Sequence, residues 1–205
     1  MRFINEKLTR EEKIEELRKR FFDGKPYRYL VIENFLDYEI AKRVLSALKK
    51  EKFEHKESDL FSLSQTMDFV DVKSNVLREF YELMSCEELG RWLEKIIGIK
   101  LKIGKIDMSG SLYESCDYLL CHDDLVGERK IAFVFYLSSL EKGEGGEFVT
   151  YESADDVYVR RVGKEAKKVI PKFNSILIFE VSEKSFHSVE EVLKGKRYAI
   201  GGWWY

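Results

Sequence analysis

The sequence predicts an α+β, mainly β architecture in a single domain. A helical support, residues 1–98, should pack on one sheet of a sandwich or jelly roll built from residues 99–205. Three observations carry this. Apolar residues recur at helical spacing as far as Gly98, then at period two or in short runs separated by turns. Eight short candidate strands with turn signals between them suit a sandwich or jelly roll. No internal repeat, low-complexity tract or long linker divides the chain, and 205 residues suffice for one full core.

Taken in order, Thr9-Arg10-Glu11-Glu12 fits a capping box, followed by the apolar stripe Ile14, Leu17 and Phe21 and by Gly24 and Pro26 as stop signals. The short apolar run 29–32 reads as a strand. Asp37 is placed to cap a helix whose buried face is Ile40, Val44 and Leu48. Residues 49–59 lose this periodicity and 60–69 fit either pattern. Val76, Leu77, Phe80, Tyr81 and Met84 line a third helix. A fourth opens on the box Ser85-Cys86-Glu87-Glu88, carries Leu89, Trp92, Leu93 and Ile96, and ends at Gly98. These stripes are plain packing surfaces. Strands are then expected over 99–108, 112–121, 130–137, 147–151, 156–162, 175–181, 188–193 and 197–204. The turn 141–146 carries enough glycine for positive φ at several positions.

Composition excludes some functions. Lys plus Arg (35) nearly balances Asp plus Glu (37), which gives no global electrostatic ground for nucleic acid or an anionic membrane as partner and leaves only a local patch. The charged N-terminus lacks the apolar stretch of a secretory signal, and no apolar run approaches the roughly 20 residues of a membrane span. Three cysteines, Cys86, Cys116 and Cys121, without a CxxC pair, fit packing roles in a reducing, cytoplasmic compartment.

The chemistry is expected in the stretch from Cys121 to Trp203. His122 and Asp124, two apart on a strand or its extended end, would point to one face. His187 is the remaining histidine of the β half, since the third, His55, sits in an exposed polar run. Two imidazoles and one carboxylate on one face of an octahedron is the non-haem Fe(II) oxygenase set, which leaves positions open for substrate and oxygen; a structural zinc site would close four ligands. Alone the HxD tripeptide is a weak signal, because a histidine bonded to neighbouring backbone is commoner. Asp123, facing the other way, suits a supporting or surface role. Alternation sets Arg197, Ala199, Gly201 and Trp203 on one face of the last strand. A buried Arg197 would need a carboxylate partner, and Tyr136, with Ala132 and Val134 on its face, offers a phenol that could share it. A solvated Arg197 and a rim Tyr136 are the simpler alternatives.

Cys121-His122-Asp123-Asp124, Arg129, Phe135-Tyr136-Leu137, Gly145-Gly146-Glu147-Phe148, Ser185-Phe186-His187-Ser188-Val189 and Lys196 to Trp203 together resemble the prolyl-hydroxylase branch of the Fe(II)/2-oxoglutarate dioxygenases. The ending Arg197-Tyr198-Ala199-Ile200 with Trp203 is similar to that of the hypoxia-inducible-factor prolyl hydroxylases. The HDD and SFHSVEEV phrases, with Asp59-Leu60-Phe61 and Gln65-Thr66, are similar to the ribosomal prolyl hydroxylases. The resemblance runs from about Pro26 to the end and implies a double-stranded β-helix. It implies iron held by His122, Asp124 and His187, and 2-oxoglutarate held by Arg197, Tyr136 and Tyr113. Trp203 and Arg129 would stand on the substrate side, Leu119 and Leu120 in the pocket wall, and residues 59–66 as a lid. O2 is the implied oxidant, with ascorbate as a reductant. The implied partner is a protein substrate, ribosomal or translation-related. The ribosomal enzymes carry a second, non-catalytic barrel that is not among these residues, so their substrate does not simply transfer. Hydroxylation of a free amino acid or other metabolite, and a cupin-like binding module without turnover, are the competing readings.

Overall fold

The computed structural model describes residues 3–156 and 159–205. Its helical support consists of α1 (Glu11–Phe22), α2 (Tyr38–Leu48), α3 (Asn75–Ser85) and α4 (Glu87–Ile97). Asp37 caps α2 as expected, its Oδ1 accepting from the Glu39 and Ile40 amides. The buried stripe there is Ala41, Val44 and Leu48, with Ile40 only half-buried. Both expected capping boxes are shifted. The Thr9 hydroxyl donates to the Glu6 carbonyl and closes a short 3-10 turn, so α1 starts after Arg10 without a side-chain cap. Ser85 is the last residue of α3 and donates back to the Tyr81 carbonyl, leaving the Cys86 sulfur to accept from the Leu89 amide. Two helices that share a single joint residue leave no room for the expected box. Gly98 ends α4 at φ 73°, a position that favours glycine.

The strands are β1 (Tyr29–Glu33), β2 (Glu54–Glu57), β3 (Phe61–Asp68), β4 (Ile106–Tyr113), β5 (Tyr118–His122), β6 (Ile131–Tyr136), β7 (Phe148–Asp156), β8 (Val159–Val169), β9 (Ser175–Glu180), β10 (His187–Val189) and β11 (Arg197–Trp204). The expectation for 197–204 is met in full, and those for 130–137 and 175–181 nearly so. Three others are corrected. Residues 99–105 form no strand. The proposed strand 112–121 is broken at 114–117, where Asp117 Oδ2 accepts from the Glu114 amide and Cys116 takes φ 73°. The strand expected over 188–193 stops at Val189, and Val192 makes only a bridge to Gly145. Of the strand expected over 156–162, Val157 and Tyr158 lie outside the described residues.

Every named pairing is antiparallel, in the order β1-β9-β6-β11-β4-β3-β5-β10-β7-β8, with β2 beside β3. Period two sorts the side chains to two faces. Ile131, Phe133 and Phe135 of β6, with Ile176, Ile178 and Ile200, join Leu17, Phe21, Val44, Phe80 and Trp92 in the core under the helices. Ala132, Tyr136, Leu177, Phe179 and Ala199 point the other way and meet Phe148 of β7 across the barrel interior. Close approach of β11 to β4 depends on Gly202, where a Cβ would come within 2.1 Å of the Asp107 carbonyl oxygen.

Candidate metal and cosubstrate site

The ends of β5 and β10 bring the two histidines together, since His122 and His187 are register partners. Val189 pairs with Leu119, so β5 spends three steps where β10 spends two, and this bulge turns both Leu119 and His122 toward the interior. Asp124 is not on the strand with His122. It lies two residues past the strand end at φ 62°, a conformation that Asp tolerates better than most side chains and one that swings the carboxylate back to the histidines. Asp124 Oδ1 is 3.4 Å from His122 Nε2 and Oδ2 is 3.5 Å from His187 Nε2; one ligand atom from each residue lies within 4.8 Å of the others. His122 Nδ1–H donates to the Leu120 carbonyl at 2.9 Å and His187 Nδ1–H to the Ser185 carbonyl at 2.7 Å. These bonds set the tautomer that leaves each Nε2 lone pair aimed at the shared point, the arrangement of metal-ligating histidines. His187 is locked further by Phe148, stacked at 4.9 Å, and by the edge contact of Phe179 at 4.7 Å. The fully buried Ser185 hydroxyl donates to the Asp123 carbonyl and so ties the ligand loop to the turn before β10.

Charge within the triad is unevenly shared. Burial disfavours the Asp124 carboxylate, but the hydrogen bond from His122 and the nearby His187 outweigh it and hold the group at about 2. For His122 burial opposes the proton, yet Asp124 wins and raises its pKa. His187 is pushed down to about 4 by burial and by His122. The set thus offers one carboxylate and at least one neutral imidazole at neutral pH, as a divalent cation requires.

Beside the triad a cavity of about 150 Å³ runs to Arg197, which is 1% exposed. Its guanidinium lies over the rings of Tyr113 at 4.8 Å and Tyr136 at 5.1 Å. Among the described residues neither Nε nor Nη2 has a hydrogen-bond partner, and the Tyr136 hydroxyl is likewise buried and unpartnered. Burial pushes Tyr113 up to about 12 and also raises Tyr136, with Arg197 acting against the shift in both cases. A buried, unpaired guanidinium costs several kcal/mol. The orphaned guanidinium donors at one end of the cavity, with the Tyr136 ring beside them, fit a ligand carboxylate. Gly146, at φ 73°, lets the preceding turn close over the stem of Arg197; a Cβ there would lie 3.2 Å from Arg197 Cδ.

At the other end Arg129 stacks on Trp203, with 3.5 Å from its central carbon to the ring centroid, and Arg129 Nη1 reaches within 4.0 Å of Asp124 Oδ1. The Trp203 ring N–H helps to hold the Asp124 carboxylate ionised without completing a hydrogen bond in good geometry. Leu119 and Val189 are wall, but Leu120 is 50% exposed and outside the cavity, because the bulge takes it off the inner face. Most of residues 59–66 lie in β3, which pairs with both β4 and β5 and contributes Leu63 and Gln65 to the wall. Asp123 accepts from the Leu125 amide, and His55 is exposed. Gln65, Ser109, Ser111, Phe148 and Phe179 were not foreseen as lining residues. Alternation along 106–113 could have revealed the two serines, which share the face of Tyr113. A larger cleft of about 680 Å³, between the α1–β1 turn and β7–β8, is lined mostly by polar and charged groups and, among the described residues, holds no converging ligand set.

A family model described as the 2OG-Fe(II) oxygenase superfamily matches residues 108–205, which contain the triad and Arg197. Residues 108–205 thus belong to that superfamily. Among curated proteins, this chain is 36% identical to the prolyl 3-hydroxylase OGFOD1 of Mus musculus over 89% of the chain and 33% of the relative. It is 32% identical to the prolyl 3,4-dihydroxylase OGFOD1 of Ostreococcus tauri over 88% of the chain and 38% of the relative. The chain therefore spans about a third of the length of these relatives. Among solved structures, a Pseudomonas putida prolyl-4-hydroxylase superposes with a TM-score of 0.71 at 14% identity, covering 92% of this chain and 97% of that one. A Trichoplax adhaerens prolyl hydroxylase, in complex with a hypoxia inducible factor oxygen degradation domain peptide fragment, gives 0.68 at 14% identity, covering 95% and 91%. The fold of the chain is the double-stranded β-helix.

Proposed function

We propose that the protein is an Fe(II)- and 2-oxoglutarate-dependent oxygenase that hydroxylates a prolyl residue of a protein substrate. The observation that carries this is the buried, unpartnered guanidinium of Arg197 facing the same cavity as the His122–Asp124–His187 triad. His122 Nε2, His187 Nε2 and an Asp124 oxygen would hold the iron. Arg197 and Tyr136 would donate to the far carboxylate of 2-oxoglutarate, with Tyr113 packed beside it. Together iron, 2-oxoglutarate and O2 supply the oxidising equivalents that place one oxygen atom in a C–H bond, with succinate and CO2 as coproducts. The chain's own contribution is geometric. The backbone-bonded histidines keep their lone pairs on one point, Arg197 sets the register of the cosubstrate, and Phe148, Phe179, Leu119 and Val189 keep water from the reacting atoms. Arg129 and Trp203 form the substrate-side wall.

The prolyl reading is supported by the names of the curated relatives and by the neutral surface between Arg197 and the mouth. Gln65, Ser109 and Ser111 suit uncharged amides better than the charged ends of a free amino acid. A ribosomal or translation-related target in the cytoplasm extends the same reading. Adding Fe(II) and 2-oxoglutarate without oxygen should give a weak visible charge-transfer band that is lost in His187→Ala. Mass spectrometry of ribosomal proteins and translation factors, from cells with and without the enzyme, should show one added oxygen on a prolyl residue. If no protein gains oxygen while a small metabolite does, the metabolite hydroxylase is the correct reading.

A further inference from the structure

Gln65 stands opposite Ser111 in the β3–β4 register, and with Ser109 these residues line the cavity between Arg197 and the mouth. The two ends of a carboxamide are chemical opposites, one accepting and the other donating twice. Here the neighbours decide which end points where. Lys56 Nζ can only donate and lies 2.8 Å from Gln65 Oε1, which turns Nε2 toward Ser109 Oγ, also at 2.8 Å. That bond uses one Nε2 hydrogen, and among the described residues the second meets no acceptor. The clamp adds little to the fold, because Lys56 belongs to a strand exposed along its whole length and one polar contact on such a surface stabilises weakly.

We propose that Gln65 binds the substrate, its Nε2 donating to a backbone carbonyl beside the target prolyl residue, and that Lys56 is the positioning residue that keeps the amide turned that way. This rests on the prolyl-peptide reading above. Proline has no backbone N–H, so at the target residue the chain offers carbonyl oxygens and no amide donor. A wall with a fixed donor selects that pattern. A carboxylate at position 65 would keep the Lys56 contact as an ion pair while replacing the donor by an acceptor.

The test uses N-acetyl-L-prolinamide, a prolyl unit between two neutral amides, offered without oxygen to the protein loaded with Mn(II) and 2-oxoglutarate. Paramagnetic relaxation of the pyrrolidine ring protons reports binding beside the metal without turnover. The wild type should relax these protons, and Gln65→Glu should weaken probe binding about tenfold, the weight of one lost hydrogen bond. Lys56→Met should weaken it less and add nothing on top of Gln65→Glu, because it acts through the same amide. Affinity for 2-oxoglutarate should be unchanged in Lys56→Met and in the uncharged Gln65→Met. Equal probe binding by wild type and Gln65→Glu, or a parallel loss of 2-oxoglutarate in Gln65→Met, overturns the proposal; full additivity of the two substitutions overturns the role of Lys56. Should Gln65→Glu fail to fold, Gln65→Met makes the same comparison. A wild type that takes up Mn(II) and 2-oxoglutarate yet leaves the probe unrelaxed removes the prolyl-peptide reading, and this inference with it.

Discussion

Arg197 shows what a single residue contributes to a site at the expense of the fold. Its charge is held where no described group answers Nε or Nη2, so the ligand-free protein bears the desolvation cost. Arg197→Met should therefore raise the stability of the ligand-free protein by about 1–4 kcal/mol, while 2-oxoglutarate affinity falls about 100-fold or more. Urea titration measures the first and calorimetry the second; a destabilised variant would mean that the guanidinium is paired. The triad makes a pH prediction. A metal needs His122 neutral, and Asp124 holds the His122 proton to a higher pH than usual, whereas His187, at about 4, has already lost its own. Metal affinity should thus fall as pH drops below the raised His122 value, with about one proton released per ion bound there. Mn(II) titrations in buffers of different ionisation enthalpy count that proton; a count of zero on the acid side would disprove it.

At the scale of elements, the sequence discloses whatever depends on a regular period. Ile131, Phe133 and Phe135 alternate with Ala132, Val134 and Tyr136, so the face of β6 that turns toward Arg197 could be read directly. Irregular steps were not legible. The bulge that aims His122 inward, the left-handed Asp124 and the split of 112–121 at Asp117 all depend on tertiary partners such as the Ser62 hydroxyl, which donates to Asp117 Oδ1. Asp124 meets the two histidines from a left-handed position past the strand end, not from the face of a strand or its extended end as the HxD spacing suggests. Glu94 is another tertiary device. Near the end of α4 it is mostly buried, accepts from the Leu101 amide at 2.9 Å and meets Lys100 and Arg91. The Leu101 hydrogen bond leads in holding it at about 2, against burial and with help from Lys100 and Arg91. A depressed carboxylate stabilises the fold above its unfolded pKa, and the contribution disappears as pH falls through the folded value. Glu94→Gln should cost about 1.5–3 kcal/mol at neutral pH, and the difference from wild type should vanish as pH approaches 2. A gap that stays constant with pH would assign the effect to packing instead.

For the whole molecule, the helices and the barrel share one core rather than meeting at a boundary. Phe80 of α3 stacks on Phe135 of β6 at 5.4 Å, Phe35 touches both Phe135 and Trp92, and the Trp204 ring donates to the Met84 carbonyl. The wall that carries Tyr136 inward is therefore held from behind by the helical support, and loosening one should loosen the other. We propose that residues 1–205 unfold as a single cooperative unit. Urea transitions followed by helical circular dichroism and by tryptophan fluorescence, which includes Trp203 at the site, should coincide. Mn(II) with 2-oxoglutarate, at 100 times their joint dissociation constant, should move both transitions by about the same 2.7 kcal/mol. If the fluorescence transition shifts while the helical one stays, the barrel unfolds apart from its support, and the helices do no more than cover a site that stands without them.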